Sequence, residues 1–389
     1  MKTSKDLYHP DSFPIIRHRD DILPLLENNK GIRMFTHGPI QVVRYLINSP
    51  EVFTTPADLE ARGLIFDTQT GMLLSRPLHK FFNLGERMDE EALISHGPGY
   101  MADKLDGSMI ASFIQDSTLF FHTKGGVSSQ AKAALNEAPV NVREAATEAF
   151  QEGGTPAFEW TSPDNRIVVD YDTSEMTLLA VRDRLSGVYD DDLANHLAKK
   201  YDLRQPKIHG RAETLEDLKN LISWLRQQEG MEGAVWIGPN GLRSKVKTTA
   251  YMKVHKTLSM LSVERHAFRA VVDEMDDDIL PLLLPKQRDI WLEYAGAMRT
   301  RFLEISDQAR AYYAKIEGLD PKAAAQDINA NAPASLKTLV FGLKSGRDPV
   351  DLIKSVLSKN VGSDVKVQNA KKTYHLPDWD HQGAFMQDT

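Results

Sequence analysis

The 389-residue sequence has no cysteine, which excludes disulfides, thiolate metal sites and a cysteine nucleophile together. No apolar run approaches the roughly 18–20 residues needed to span a bilayer, so no membrane role is expected. The stretch from Met1 to Pro14 is polar and lacks the apolar block of a secretory signal. With the missing cysteines, that makes a cytoplasmic protein the expectation. The 12 histidines show neither H-x-x-H nor H-E-x-x-H spacing, which leaves a histidine metal site without support. Positive charge is in deficit, with 47 Lys and Arg against 54 Asp and Glu. The net charge of −7 argues against a general nucleic-acid coat. A local basic cleft stays open, because phosphate contacts need only clustered cations. Internal repeats and long low-complexity linkers are absent as well.

What is present has an ordinary globular balance, 41% hydrophobic and 26% charged, and a length that suits two or three domains. From about Gly31 to His255 short β-rich runs alternate with loops. The expected strands include Gly63 to Phe66, Phe158 to Trp160, Arg166 to Tyr171, Met176 to Val181 and Ala234 to Ile237. Turn signals separate them at Asp106-Gly107, Gly125-Gly126, Ser162-Pro163-Asp164-Asn165 and Pro239-Asn240-Gly241. Helices are expected to interrupt this part; in one, ending near Gly230, Thr214 and Asp217 form a capping box, and Leu215, Leu218, Leu221, Ile222 and Leu225 share one face. From about Lys256 the texture turns helical. Trp291, Tyr294, Met298, Phe302 and Ile305 follow one stripe; Leu336, Leu339, Val340 and Leu343, then Leu352, Ile353, Val356 and Leu357, follow others. The residues from Asp378 onward read as a tail.

The chemistry is concentrated in the tetrad Lys104-Leu105-Asp106-Gly107, followed by Ser108. An amine attacks phosphorus only when neutral, so a nucleophilic lysine needs neighbouring cations or burial to lower its pKa. The tetrad alone is weak, and its plainer reading is a hairpin turn with an exposed lysine. Five further clusters surround it in order: Ala61 to Phe66, Ser75 to Leu84, Thr123 to Gly126, Phe158-Glu159-Trp160, and Glu232 to Trp236 followed by Lys245-Val246-Lys247. If they converge, one pocket holds Lys104, Arg62, Lys80, Lys124, Lys245 and Lys247 against Glu159 and Glu232. That balance suits a triphosphate with a divalent metal.

In these segments the chain resembles the covalent nucleotidyltransferases, the polynucleotide ligases and messenger-RNA capping enzymes. Within them it is most similar to the single-strand RNA ligases of the T-even bacteriophage type. The likeness is carried by ARGLIF, SRPLHKFFNLGE, KLDGS, TKGG, FEWTSPDNRIVV, EGAVW and KVKTTAYMKVH, over roughly residues 60 to 255. RPxxKFFNL is specific to this group, whereas K-x-D-G and E-G belong to the whole superfamily. The resemblance implies an α+β fold: an N-terminal nucleotidyltransferase domain of ATP-grasp-like antiparallel sheets with helices, residues 1–255. An all-α domain, residues 256–389, follows it, in place of the oligonucleotide-binding barrel of DNA ligases and capping enzymes.

The resemblance also implies roles. Lys104 attacks the α-phosphate of ATP and carries AMP, with Lys245 and Lys247 on that phosphate and Glu232 organising Mg²⁺, or Mn²⁺, and its water. Glu159 contacts the ribose or orients the pocket; Arg62, Lys80 and Lys124 bind the sugar-phosphate side; Tyr251 stands at the tyrosine of the last motif. Asp277 and Asp278, within Asp276 to Asp278, occupy the place of an Asp pair near the family's metal. The implied reaction joins RNA 5′-phosphate and 3′-hydroxyl ends through lysyl-AMP and adenylylated RNA. Cleaved tRNA is the implied partner, a monomer the expected state, and host-cell cytoplasm the location if a phage encodes it. Two alternatives stand beside this: an RNA end-binding protein without catalysis, and a GTP-using capping-type enzyme. Taken singly, each residue has a plainer reading: Glu159 and Glu232 as strand residues with heads in water, Lys245 and Lys247 as a solvated strand edge, Arg62 as a surface ion pair, and Asp276 to Asp278 as a solvated helix start.

Overall fold

The computed structural model describes residues 13–165 and 167–385. Its fold is α+β, with antiparallel sheets in the N-terminal part and helices in the C-terminal part. Contacts divide the chain into two compact units, residues 1–252 and 253–389.

The first unit holds three sheets. Strands β1 (Ile32–His37), β2 (Ile40–Tyr45), β3 (Arg62–Asp67) and β4 (Leu73–Ser75) form a four-stranded antiparallel sheet in chain order. Its inner face buries Ile32, Val43, Leu64 and Phe66 beneath α1 (Arg19–Leu26) and α2 (Pro56–Glu60). The stretch after it holds β5 (Phe82–Asn83), α3 (Glu90–Ser95) and β6 (Gly99–Lys104). Strands β7 (Ser108–Gln115), β8 (Thr118–His122), β9 (Gly154–Thr161) and β10 (Glu175–Asp183) make the second sheet, ordered β10-β9-β7-β8. Helices α4 (Ser129–Glu137), α5 (Val140–Gln151) and α6 (Asp191–Lys200) supply Ala131, Ala134, Ala145, Ala146, Ala149 and Leu197 to its core. These small alanines let the helices approach the sheet closely.

The third sheet carries most of the chemistry. β11 (Ile208–Ala212), β6, β12 (Gly233–Ile237), β13 (Arg243–Lys247) and β5 lie in the order β11-β6-β12-β13-β5. All its pairings are antiparallel except β13 with β5. Its far face packs Met101, Ala234, Trp236 and Val246 on α7 (Leu215–Arg226). That helix begins at the expected capping box of Thr214 and Asp217 and buries Leu218, Ile222 and Leu225.

The expected strand from Arg166 to Tyr171 is corrected. Arg166 lies outside the described residues, and 167–171 is irregular. The cause is local: the backbone N–H groups of Val168 and Val169 donate to the Asp106 carboxylate, at 2.7 and 2.8 Å, so they are not available to a neighbouring strand.

The second unit is helical. Helix α8 (Thr249–Leu261) leads to α9 (Glu264–Val272), α10 (Asp276–Ile279), the long α11 (Pro285–Ala314), α12 (Pro321–Asn331), α13 (Ala334–Lys344), α14 (Pro349–Ser358) and α15 (Asp364–Tyr374). The stripe of Trp291, Tyr294, Met298, Phe302 and Ile305 is buried along α11. Each such side chain contributes roughly 1.5–3 kcal/mol on burial. The tail from Asp378 is also corrected. Trp379 is buried against Tyr294, ring centroids 4.7 Å apart, and its indole N–H donates to the Leu261 carbonyl. Among the described residues no helix is long and apolar enough to cross a membrane.

Candidate active site

Lys104 is the last residue of β6, and the next segment leaves that sheet altogether. Residues 105–107 carry the chain from β6 in the third sheet to β7 in the second, so Asp106-Gly107 is a crossover and not the hairpin turn of the plainer reading. Gly107 is required by close approach: a Cβ there would stand 2.3 Å from the Trp160 carbonyl oxygen. Asp106 is buried and anchors the crossover. One carboxylate oxygen takes the two N–H groups of Val168 and Val169, and the other accepts the Tyr251 hydroxyl at 2.7 Å. Its own N–H donates to the Tyr171 hydroxyl. Burial, with the Glu232 and Asp106 charges, pushes the Tyr251 phenol far up, so it stays a donor.

Strand register then assembles the cations. Gly233 on β12 pairs with Lys104 on one side and Lys247 on the other, which puts both lysines beside Glu232. Lys104 Nζ lies 2.5 Å from Glu232 Oε2, and Lys247 Nζ 3.0 Å from Oε1. Glu232 is 3% exposed, so its head is not in water. Lys245 is one strand step from Lys247, opposite Val235, with its ammonium 5.0 Å from the Phe81 ring. Burial and the charges of Arg62, Lys104 and Lys80 lower its pKa well below the ordinary lysine value.

The second and first sheets complete the surround. Glu159 on β9 is pushed up to about 7 by burial; the Lys104 charge pulls it down and the Glu232 charge raises it. Arg62, at the start of β3, also lies over the Phe81 ring, at 5.4 Å, and donates to the His79 carbonyl. Among the described residues it has no carboxylate partner, contrary to a surface ion pair. Lys80 is buried among the rings of Tyr45, Phe53 and Phe82 and donates to Asn48 at 2.7 Å; burial and the Arg62 charge bring it down to about 8. Lys124 lies 4.3 Å over the Tyr45 ring, its pKa lowered by burial and by Arg62 and Arg44.

Beside these cations is an apolar floor. Leu78 and Phe81 cluster with Ala157 and Ala180, and Met109, Tyr189 and Val235 pack against them.

Several contributors escaped the sequence reading. Asn48 and Tyr171 hold site residues through tertiary contacts only. Glu60 is fully buried between Arg76 and Arg182, which it meets at 3.0 and 2.8 Å. Burial alone would raise its pKa, yet the two guanidinium charges hold it well below the carboxylate range. This triad fixes the chain just before Arg62 and just before Lys80. Asp277 and Asp278 stand exposed on α10 of the second unit, and Asp276 there is engaged by Trp291 and Arg299. Among the described residues no group of three or more carboxylates or histidines is disposed to hold a metal by itself.

Residues 60–252 match the family described as RNA ligase. The chain is 28% identical over 316 residues to a protein of Thermovibrio ammonificans that bears a provisional RNA ligase name, covering 77% of this chain and 82% of that one. It is 32% identical over 182 residues to RNA ligase 1 of bacteriophage TS2126, 44% of this chain and 46% of that protein. Among solved structures it is similar to an archaeal ATP-dependent RNA ligase, with a TM-score of 0.46 and 13% identity over 90% of this chain and 84% of that one. The class is the nucleotidyltransferase superfamily. Within it, residues 60–252 are similar to the RNA ligases of the T4 type.

Proposed function

We propose that the chain joins RNA 5′-phosphate and 3′-hydroxyl ends, using ATP to form a lysyl-AMP at Lys104 and then an adenylylated RNA end. One observation carries this reading: Lys104 shares a buried glutamate with Lys247 at the edge of an apolar floor bordered by Arg62 and Lys245. A base fits the floor of Leu78, Phe81, Met109 and Val235, and its phosphates then fall among the cations.

A phosphate must be activated before a hydroxyl can displace anything from it. Lys104 forms the N–P bond to the α-phosphate, and pyrophosphate leaves. Glu232 is the carboxylate within reach of the proton that Lys104 must shed. Lys245 and Lys247 stabilise charge developing on the α-phosphate oxygens, and Arg62, Lys80 and Lys124 take the departing side. The RNA 5′-phosphate oxygen then displaces Lys104, and the 3′-hydroxyl finally displaces AMP. Positioning and charge neutralisation supply most of the acceleration. Mg²⁺ takes one or two carboxylates plus phosphate oxygens and water, so Glu232 with Glu159 suits an ion arriving on the triphosphate, where it neutralises phosphate charge. The helical unit, residues 256–389, is the proposed selector of substrate, with broken tRNA as its target.

The test is incubation with α-labelled ATP or GTP and magnesium, followed by RNA with defined ends. Label retained from ATP after denaturation, and joining only of 5′-phosphate to 3′-hydroxyl, is the expected result. Label from GTP alone would make it a capping-type enzyme, and no label with tight RNA binding would make it an end-binding protein.

A further inference from the structure

Three arginines stand side by side across the first sheet. Arg33 on β1 pairs with Arg44 on β2, and Arg44 pairs with Arg62 on β3. Regular pairing would not produce this row. The register slips between Val43 and Arg44, so that Arg62 and not Gly63 lies opposite Arg44. The residue left over, Gly63, has φ +98, a conformation open to glycine, and a Cβ on it would stand 2.9 Å from Lys124 Cα. This bulge therefore brings Arg62 into line and lets Lys124 close in beside it.

Like charges directly opposed across strands destabilise a sheet. Little within the protein offsets them: among the described residues none of the three arginines forms an ion pair, and the carboxylate that acts on the row is Glu159, near Arg62. Arg33 donates to the backbone carbonyls of Asn29 and Ile32, and Arg62 to that of His79. Arg44 Nε is buried without an acceptor, while its guanidinium lies 4.6 Å over the Phe35 ring. Phe35 in turn stacks on His37, centroids 6.4 Å apart and planes 16° apart. Alternation along β1 puts Arg33, Phe35 and His37 on one face, with Arg33 and His37 exposed. β1 is the edge of its sheet. The row thus starts in the pocket at Arg62 and ends at an open edge beside a flat aromatic pair.

We propose that Arg62, Arg44 and Arg33, with Phe35 and His37, form a track along which single-stranded RNA runs out of the nucleotide pocket. The arginines meet successive phosphates and the aromatic pair receives an unstacked base. Cations tracking a backbone beside a stacking platform are the means by which proteins hold single strands, whereas a duplex keeps its bases to itself. The proposal rests on the RNA ligase reading above and adds the path of the substrate.

Binding of a short oligoadenylate, 5′-phosphorylated and 3′-blocked, tests it in full-length Arg33→Ser and Phe35→Ala variants, with a blunt RNA duplex for comparison. Each variant is expected to bind the single strand about tenfold more weakly. Arg33→Ser should also lower the slope of log affinity against log salt by about 0.7, and Phe35→Ala should leave that slope alone. The duplex should be insensitive to Phe35→Ala. Arg33 is exposed at the sheet edge, so its variant decides the matter should Phe35→Ala unfold. Wild-type affinity and salt slope in Arg33→Ser, or equal losses for single strand and duplex in a folded Phe35→Ala, would overturn the track. Self-labelling of the wild type from ATP, read in parallel, needs no RNA. Its absence would count against the RNA ligase reading, whereas intact labelling with unchanged RNA affinity counts against the track alone.

Discussion

The Lys104 ammonium lies 2.5 Å from the carboxylate of Glu232, a residue 128 positions away in sequence and almost fully buried. Because the other oxygen of that carboxylate serves Lys247, Glu232 positions two cations at once. Replacing Glu232 by Gln keeps the shape and removes the charge. The expected outcome is a fall in self-labelling of about 10²–10³-fold, by analogy with the loss of one electrostatic contact at a reacting centre. A variant that labels within twofold of wild type would show that the carboxylate is only a strut.

Gly107 should tolerate no side chain. An added Cβ meets the Trp160 carbonyl oxygen at 2.3 Å, so Gly107→Ala must displace either β9 or the crossover that carries Lys104. Labelling should be abolished even where circular dichroism and the melting transition show a folded protein. Gly362→Ala, where nothing lies within 4 Å of the added atom, is the control.

The Glu60 triad gives a stability prediction. Glu60→Gln removes the carboxylate that the buried Arg76 and Arg182 share, and breaking a buried pair in this way costs about 3–5 kcal/mol. Urea denaturation should show the loss as a lower midpoint for the first unit. A midpoint equal to wild type would mean that water or another acceptor serves the two guanidinium groups.

Glu159 predicts a pH dependence. Burial raises its pKa from 4.5 to about 7, so between those values the folded protein holds a proton that the unfolded chain has released. Stability from this group is therefore full below about pH 4.5 and declines as pH rises toward 7. Glu159→Gln removes the titration. The difference in unfolding free energy between wild type and Glu159→Gln should shift against the wild type by roughly 1–3 kcal/mol across that window. A flat difference would place the carboxyl in water.

How much of this was legible in the sequence follows from how local each feature is. Lys104 with Asp106-Gly107, and Lys245 with Lys247, are short patterns whose strand positions follow from alternation. The capping box at Thr214 and the α11 stripe are equally local. The misread parts depend on distant partners. The segment 167–171 has a strand-like composition, but Asp106, some sixty residues earlier, takes its backbone donors. Trp379 reads as tail because the pocket that buries it is made by α11. Asn48 on Lys80, and Arg76 with Arg182 on Glu60, are joined across 32, 16 and 122 positions, and no spacing rule reaches that far.

The central claim is that Lys104 carries the nucleotide, and the most direct measurement is mass mapping of the protein after incubation with ATP and magnesium. A single AMP on Lys104 is predicted, lost in Lys104→Ala and also in Lys104→Arg, since a guanidinium stays protonated and supplies no neutral amine. AMP on any other residue of the wild type, or a Lys104→Ala protein that still takes up AMP, would contradict the account.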